Sequence, residues 1–591
     1  MPNNTQFYTQ RISFYKDKLA QLKRKDVQLS ALRFSIILLA GLCFYLYLDG
    51  KGAVLGIAVG ALCVVFGVAL KQHWRLRRNK KRAQNLLQIN TDELAYTKGD
   101  LSAFDGGDRF KNPEHIYAND LDVFGETSLY QHLNRTVTRG GANGLADQLL
   151  HKNEASITER QATIQELAAL PEWRQEFLAT GIEVEEDAGL KQKLALWLNK
   201  DYSSALAHPV LLYVLTAVSL GFLVNVMVQN DLQSFKWFGY AMGFNLMVVF
   251  SQFKKISEAY KDLGGIAHSL KMYAGLLQHI EQQNFASADL NSVKNKLNGE
   301  ASAAIQKLSK ILSAFDQMNN IVVLPLTNGL YLNHLHVLRR LNLWKKAHGK
   351  EVAQWLEVAA TFDARISVAN YAFNHADFTY PEVSSQTVFE AESLGHPMIS
   401  AEKRVNNPLN FDGYKYVVLT GSNMSGKSTL LRSVGVNLIL MHLGAPVCAA
   451  RFTSYPFTIL TSMKLVDALN KDRSYFQAEV LKLREVLDVL ESGTPCFVLL
   501  DEILRGTNSD DKRQGTRLFM EKLKDFNALG VVATHDIDIA DLASADAETY
   551  RACYFESTVQ NGELHFDYIL RDGICTTPNA TDLMRAKGII D

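Results

Sequence analysis

Neither sign of charge is in excess: 62 lysines and arginines are matched by 62 aspartates and glutamates. Bulk charge therefore excludes an overall basic nucleic-acid binder and an acid-seeking surface, and any basic patch is local. Cysteine is scarce as well, six in 591 residues, and no two stand in CxxC spacing. Cys43 and Cys63 fall inside apolar runs, while Cys448, Cys496, Cys553 and Cys575 scatter through the C-terminal third. Neither a disulfide framework nor a thiolate metal site is expected. Length is plentiful, enough for about three or four domains.

Charge is also scarce in four long stretches. FSIILLAGLCFYLYL at 34–48 is separated only by DGKG from AVLGIAVGALCVVFGVAL at 53–70. Extended back to residue 29, the first run is about bilayer length with one charge, Arg33, able to snorkel to the headgroups. A second pair follows at 209–228 and 235–253, joined by the polar QNDLQS. Four buried helices of a large soluble core would have the same composition, but the flanks argue against that. Lys23, Arg24, Lys25 and Arg33 precede the first pair, Arg75, Arg77, Arg78, Lys80, Lys81 and Arg82 follow it, and the loop between holds only Asp49 and Lys51. By the positive-inside rule both ends lie in the cytoplasm. Lys200, Lys254 and Lys255 flank the second pair in the same sense, and Trp237 and Tyr240 lie near one end of their run as interfacial anchors do. The opening thirty residues are highly charged, which puts the first run too deep for a cleaved signal peptide. The expectation is a multi-pass protein of the cell (inner) membrane, with the lipid bilayer as partner and its N-terminus and remaining chain cytoplasmic.

Between and after these pairs the chain reads as soluble helices. Ser156 and Glu159 have the capping-box spacing. Leu263, Ile266, Leu270, Tyr273, Leu277 and Ile280 alternate spacings of three and four, one apolar helical stripe, and Ile305, Leu308, Leu312 and Phe315 repeat the pattern. His334 and His336, two apart on a helix, point in opposite directions and are expected as packed or solvated residues, not metal ligands.

YKYVVLT at 414–420 is a short strand that runs into GSNMSGKST at 421–429 and then a helical LLRSVGVNLILMHL. This is G-x-x-x-x-G-K-[ST] in the strand, loop and helix context it requires. Gly421, Asn423, Met424, Ser425, Gly426, Lys427, Ser428 and Thr429 are thereby expected to hold ATP. Glycines let backbone N–H groups turn toward phosphate at a helix N-terminus, Lys427 reaches the β- and γ-phosphates, and Ser428 ligates Mg²⁺. CFVLLDE at 496–502 is an apolar strand closing on paired carboxylates, Asp501 to hold Mg²⁺ through water and Glu502 to polarise the attacking water. GVVATHD at 530–536 ends in His535, placed to sense the γ-phosphate. Three strand ends that deliver phosphate chemistry to one edge of a parallel sheet outweigh the alternative of His535 as a plain surface residue.

GSNMSGKST, DEILRGTNS at 501–509 and ATHD at 533–536 resemble the MutS branch of the ABC-type ATPases, and DRSYFQAEV at 472–480 resembles that family's serine-phenylalanine-glutamate segment. The segment at 121–150 resembles the start of the MutS core domain, with TERQ at 158–161 following. GHPMI at 395–399 and HFDYILRDGI at 565–574 resemble the opening and closing parts of the ATPase domain. The resemblance covers residues 121 to about 195 and 256–591. It implies an ATP hydrolase working as a homodimer with two composite sites, in which Ser474 completes the partner's site and Asn508 lies in the loop crossing the interface. It also places Phe411, in VNNPLNF, against the adenine. Ser422 stands where the family usually has proline, and Asn579-Ala580 where it often has a serine-tyrosine-glycine step.

The expected fold is multidomain: an α/β P-loop ABC-type ATPase domain plus an all-α core and lever domain, with two transmembrane helical hairpins. Its parts would be an N-terminal segment with the first hairpin at 1–83, core at 84–200, the second hairpin at 201–255, levers at 256–375 and the ATPase at 376–591. The hairpins stand where the resembling family keeps its mismatch reader and its DNA clamp. Function then divides between a membrane-anchored ATPase that moves lever helices in DNA-binding or repair-related work and a transport-like or signalling machine without DNA. The absence of an LSGGQ-type signature counts against a full transporter.

Overall fold

The structure is a computed structural model and describes residues 4–150, 156–317, 323–422, 424–464, 475–560 and 563–574. Two long helices, Asn4–Leu48 and Ala53–Tyr96, open the chain. They run antiparallel: Lys80 bonds to Asp26 at 2.9 Å, Arg33 lies over the Phe66 ring, and Tyr47 closes on Gly56. Away from the apolar stretch their polar ends dock on the helical core. Tyr8 donates to Asn374 at 2.6 Å, and Arg82 pairs with Glu176 at 2.7 Å. Glu93, buried, accepts from Arg135 at 2.5 Å and from Asn370 and Asn374 at 2.8 Å each, so the second helix runs unbroken past residue 84 into a satisfied polar network.

Among the described residues, three helices are long and apolar enough to cross a membrane: the first two and Pro209–Gln229. Little of their apolar windows is buried within the protein. The Leu232–Ser251 helix, expected as a fourth span, falls short because Lys236, Asn245 and three interior glycine or tyrosine positions dilute its apolar run. It pairs with Pro209–Gln229, and its Asn245 reaches Ser219 at 2.8 Å.

The core is built around the helix Val352–Asn374, buried on nearly every face. Gly140 and Gly141 permit the close approach of helix Arg139–Leu149, since a Cβ on Gly141 would strike Asp363. The stripe expected after the second pair is buried throughout, but it spans two helices, Phe253–Leu263 and Ala267–Gln282, broken at Gly264-Gly265 where Gly265 takes φ +83°. The capping box does not form: helix Ile157–Ala168 starts after Ser156, whose side chain makes no capping bond. His334 and His336 are both packed, the first against Asn328 and the second stacked on Tyr331.

Among the described residues ten strands follow in chain order: β1 (Glu382–Val383), β2 (Phe389–Leu394), β3 (Asn407–Asn410), β4 (Tyr416–Thr420), β5 (Arg451–Ser454), β6 (Thr458–Ser462), β7 (Cys496–Asp501), β8 (Ala528–Ala533), β9 (Tyr550–Gln560) and β10 (Glu563–Asp572). A small sheet has the order β1-β5-β2-β3, and a six-stranded sheet has the order β10-β9-β4-β8-β7-β6. In the larger sheet β6, β7, β8, β4 and β9 are parallel and β10 is antiparallel to β9. Every residue of β4, β7 and β8 is buried, the pattern of strands covered on both faces.

Candidate nucleotide site

The register of the parallel sheet brings three strand tips together. Leu419 and Asp501 both align with Ala533, so the loop after β4, the acidic pair at the end of β7 and the Thr534-His535 step after β8 are immediate neighbours. Glu502 lies in the left-handed region at φ +49°, held there by its amide donating to the Ala533 carbonyl at 2.9 Å. A non-glycine residue in that region costs about 1 kcal/mol or more, which a rigid sheet edge can sustain.

A cavity of about 790 Å³ opens at this edge, a volume that suits a nucleotide-sized ligand. Of the residues singled out in the sequence, Met424, Gly426, Lys427, Ser428, Thr429, Asp501 and Glu502 line it. Lys427 starts the helix Lys427–His442, with Gly426 before it at φ +105°. Its Nζ donates to the Gly421 and Ser422 carbonyls at 2.7 and 3.0 Å. Burial pushes the Lys427 ammonium below its ordinary pKa, and the nearby Glu502 and Asp501 carboxylates oppose that shift. Ser428 Oγ donates to Asp501 Oδ2 at 2.5 Å. Two hard oxygen donors converging beside a phosphate-sized space fit Mg²⁺, which takes few protein ligands and fills its remaining positions from water and phosphate.

The catalytic candidates form a chain. His535, more than half exposed, places Nδ1 3.4 Å from Glu502 Oε1. Arg505 donates to the Glu502 and Asp501 carbonyls at 3.0 and 3.1 Å, with Nε 3.5 Å from Glu502 Oε2. Gly421 and Ser425 belong to the loop without lining the cavity, and Asn423 and Ser474 lie outside the described residues. Asn508 caps helix Ser509–Leu523, its side chain accepting from Asp511 N at 2.8 Å, and stands clear of the cavity.

Phe411 is not where the adenine was expected. It does not line the cavity; its ring packs on Phe389, Tyr414 and Phe497, with centroids 5.8, 5.7 and 5.4 Å away, because the apolar space between the sheets captures it. The aromatic rings at the cavity wall are Phe555 and Tyr568. Tyr568 sits at φ +57° in the bulge that interrupts the β9–β10 register between Phe566 and Leu570. Asn407 clasps the bulge, donating to the Tyr568 carbonyl at 2.9 Å and accepting from Leu570 N at 2.7 Å. A Cβ on Gly426 would lie 3.1 Å from the Tyr568 ring, so that ring covers the phosphate loop directly.

Two further carboxylates are fixed here whose individual roles the sequence did not reveal, Glu479 within the DRSYFQAEV segment and Asp120. Glu479, buried on helix Tyr475–Glu491, accepts from Leu504 N at 2.5 Å and from the amides of Arg505 and Gly506, fixing the loop behind the acidic pair; burial raises its pKa against those bonds. Asp120, fully buried, accepts from Thr461 Oγ1 at 2.6 Å, Lys464 N at 2.8 Å and Lys482 Nζ at 2.6 Å, locking the helical core to the large sheet.

Residues 417–587 match the model of MutS domain V. The DNA mismatch repair protein MutS of Natronomonas pharaonis is 27% identical over 245 residues, 41% of this chain and 28% of that protein. The protein of the same name from Thermotoga maritima is 32% identical over 250 residues, 42% of this chain and 31% of the relative. That from Desulfosudis oleivorans is 32% identical over 196 residues, 31% and 22% of the two chains. The chain thus spans less than a third of the length of these relatives.

Proposed function

Starting from a chain that over its C-terminal part belongs to the MutS family, we propose a membrane-anchored, Mg²⁺-dependent ATP hydrolase that acts as a homodimer and drives its lever helices from the nucleotide site. The observation that carries the reading is the 2.5 Å bond from Ser428 to Asp501 at the mouth of one cavity that Lys427 and Glu502 also line. ATP bound there would draw Lys427 away from the Gly421 and Ser422 carbonyls and onto the β- and γ-phosphates. Ser428 and Asp501 would hold Mg²⁺, which supplies charge neutralisation on the phosphate oxygens. Glu502 would orient the attacking water and take its proton, with His535 fixing the carboxylate and contacting the γ-phosphate. Ser474 of a second copy would close the site, and Glu479 and Asn508 would shape the surface that meets it.

Release of the γ-phosphate would reach the levers through Asp120, which joins the large sheet to the core, and the buried Glu93 network would carry it to the first helix pair. The exposed apolar windows and their basic flanks support the bilayer as the surrounding of those helices. DNA mismatch repair is the work named for the relatives, and the same site can serve repair-related work on DNA. A membrane machine without DNA is the second reading, favoured by the apolar helices. Detergent-purified full chain should hydrolyse ATP with Mg²⁺. Binding to homoduplex, mismatched and branched DNA across a salt series then separates the readings, since no salt-dependent binding would leave only the machine without DNA.

A further inference from the structure

The short helix Val323–Tyr331 differs from the levers on either side of it: its sequence, VLPLTNGLY, carries no charge, and it lies against both Pro209–Gln229 and Leu232–Ser251. Its contacts fix its depth along that pair. A Cβ on Gly329 would come 2.7 Å from Met242 Cε, and Asn245 Nδ2 donates to the Gly329 carbonyl at 2.7 Å and to Ser219 Oγ at 2.8 Å. Met242 stands nine residues before the end of its helix at Ser251. At 1.5 Å per residue that is about 13 Å, close to the hydrocarbon depth of one leaflet.

Asn245 is 1% exposed, and a buried amide among apolar helices is costly without partners. One of its partners here is a last-turn carbonyl, which has no acceptor role left inside its own helix. Just beyond, Asn328 Oδ1 accepts the His334 amide at 3.0 Å and pairs with His334 Nδ1 at 2.9 Å, so the turn through Leu332 at φ +46° is bonded within the protein. Leu326 is 61% exposed, and Met247 and Phe250 on the helix pair are exposed as well. Irregular backbone is tolerated at membrane depth only where protein satisfies it, and an exposed leucine face is tolerated best where there is no water.

We propose that Val323–Tyr331 is a re-entrant segment that enters the cytoplasmic leaflet beside the second helix pair, with Leu326 against acyl chains. The helices before and after it, Ala301–Gln317 and Asn333–His348, would then be tied to the bilayer as well as to the core. This rests on the membrane reading above, with Leu232–Ser251 carried into the bilayer by its pairing with Pro209–Gln229, and adds an element that charge and length alone do not reveal.

The test uses the full chain in liposomes of phosphatidylcholine and phosphatidylglycerol, carrying photoreactive benzoylphenylalanine at Leu326, Met247 or Leu518 in separate preparations. Met247 reports the membrane reading itself, and Leu518, exposed on helix Ser509–Leu523, reports background. Lipid adducts at Leu326 should match those at Met247 and exceed those at Leu518 about tenfold. Adducts at Met247 with only background at Leu326 overturn the re-entrant segment and leave the helix pair in the membrane. Background at both positions overturns the membrane reading and this segment with it. A cross-link from Leu326 to a second protein chain in place of lipid also overturns the segment, by giving that face a protein partner.

Discussion

Glu502 Oε1 stands 3.4 Å from His535 Nδ1, across the adjoining tips of β7 and β8. The pair is held from two sides, since the Glu502 amide is bonded to the end of β8 and Arg505 reaches back to the Glu502 carbonyl. A base so positioned is expected to matter in the chemical step and not in binding. Glu502→Gln should cut single-turnover hydrolysis roughly 100- to 10,000-fold while ATP stays bound through gel filtration. His535→Ala should lower turnover by a smaller factor, and a parent-like rate in Glu502→Gln would remove Glu502 from the role of base.

The Ser428–Asp501 bond predicts a metal effect separable from folding. In the parent, Mg²⁺ should tighten binding of a fluorescent ATP analogue, whereas Ser428→Ala and Asp501→Asn should bind it equally with and without Mg²⁺. Losing the Ser428 hydroxyl or the Asp501 charge from this hydrogen bond costs about 1–3 kcal/mol, so both variants should remain folded by circular dichroism. A Mg²⁺ response retained in both would place the metal elsewhere.

Tyr568 and Phe411 exchange their expected consequences. Tyr568→Ala removes a ring from the cavity wall, and the loss of a stacking contact worth about 1–1.5 kcal/mol should weaken ATP binding roughly tenfold with little change in stability. Phe411→Ala removes a ring packed between the sheets, which should cost up to about 3 kcal/mol of stability and leave affinity near the parent value. Isothermal titration with parallel thermal melts distinguishes these outcomes, and a reversed pattern would return the base to Phe411.

The difference between those two aromatics shows what was legible in the sequence. The phosphate loop, the acidic pair and His535 each carry a local signature at a strand end, and a parallel sheet obliges neighbouring strand ends to meet. Tyr568 carries no such signature, because its position depends on a register shift that Asn407, 161 residues away, holds in place. Asp120 is similar: its partners Thr461, Lys464 and Lys482 lie more than 340 residues downstream, and only the folded core brings them together. The helix pairs were visible in composition, yet the break at Gly264-Gly265 and the shortfall of Leu232–Ser251 turn on single residues inside otherwise regular patterns. Asn423 and Ser474 lie outside the described residues, so their placement rests on the sequence pattern alone.

The helical core should be the acid-sensitive part of the molecule. Tyr96 Oη lies 2.9 Å from His375 Nε2 and 3.3 Å from His132 Nδ1. Burial, reinforced by the neighbouring Arg135 and by Arg404 near His375, pushes both imidazoles down to about 3. In the unfolded chain they take up protons near pH 6.5, whereas the folded chain resists until about pH 3, so below about pH 6.5 the unfolded state binds more protons. The stabilisation is fully present above that value and falls as pH drops, by about 1.4 kcal/mol per pH unit for each histidine. Denaturant midpoints of the detergent-solubilised chain should therefore be flat from pH 8 to 7 and decline steadily toward pH 4.5. The double variant His132→Gln, His375→Gln should be less stable at pH 8, having lost the bonds to Tyr96, and should decline less steeply below pH 6.5. An unchanged slope would assign the acid sensitivity to other groups, of which His396, held down to about 4 by burial and Arg432, is the next to test.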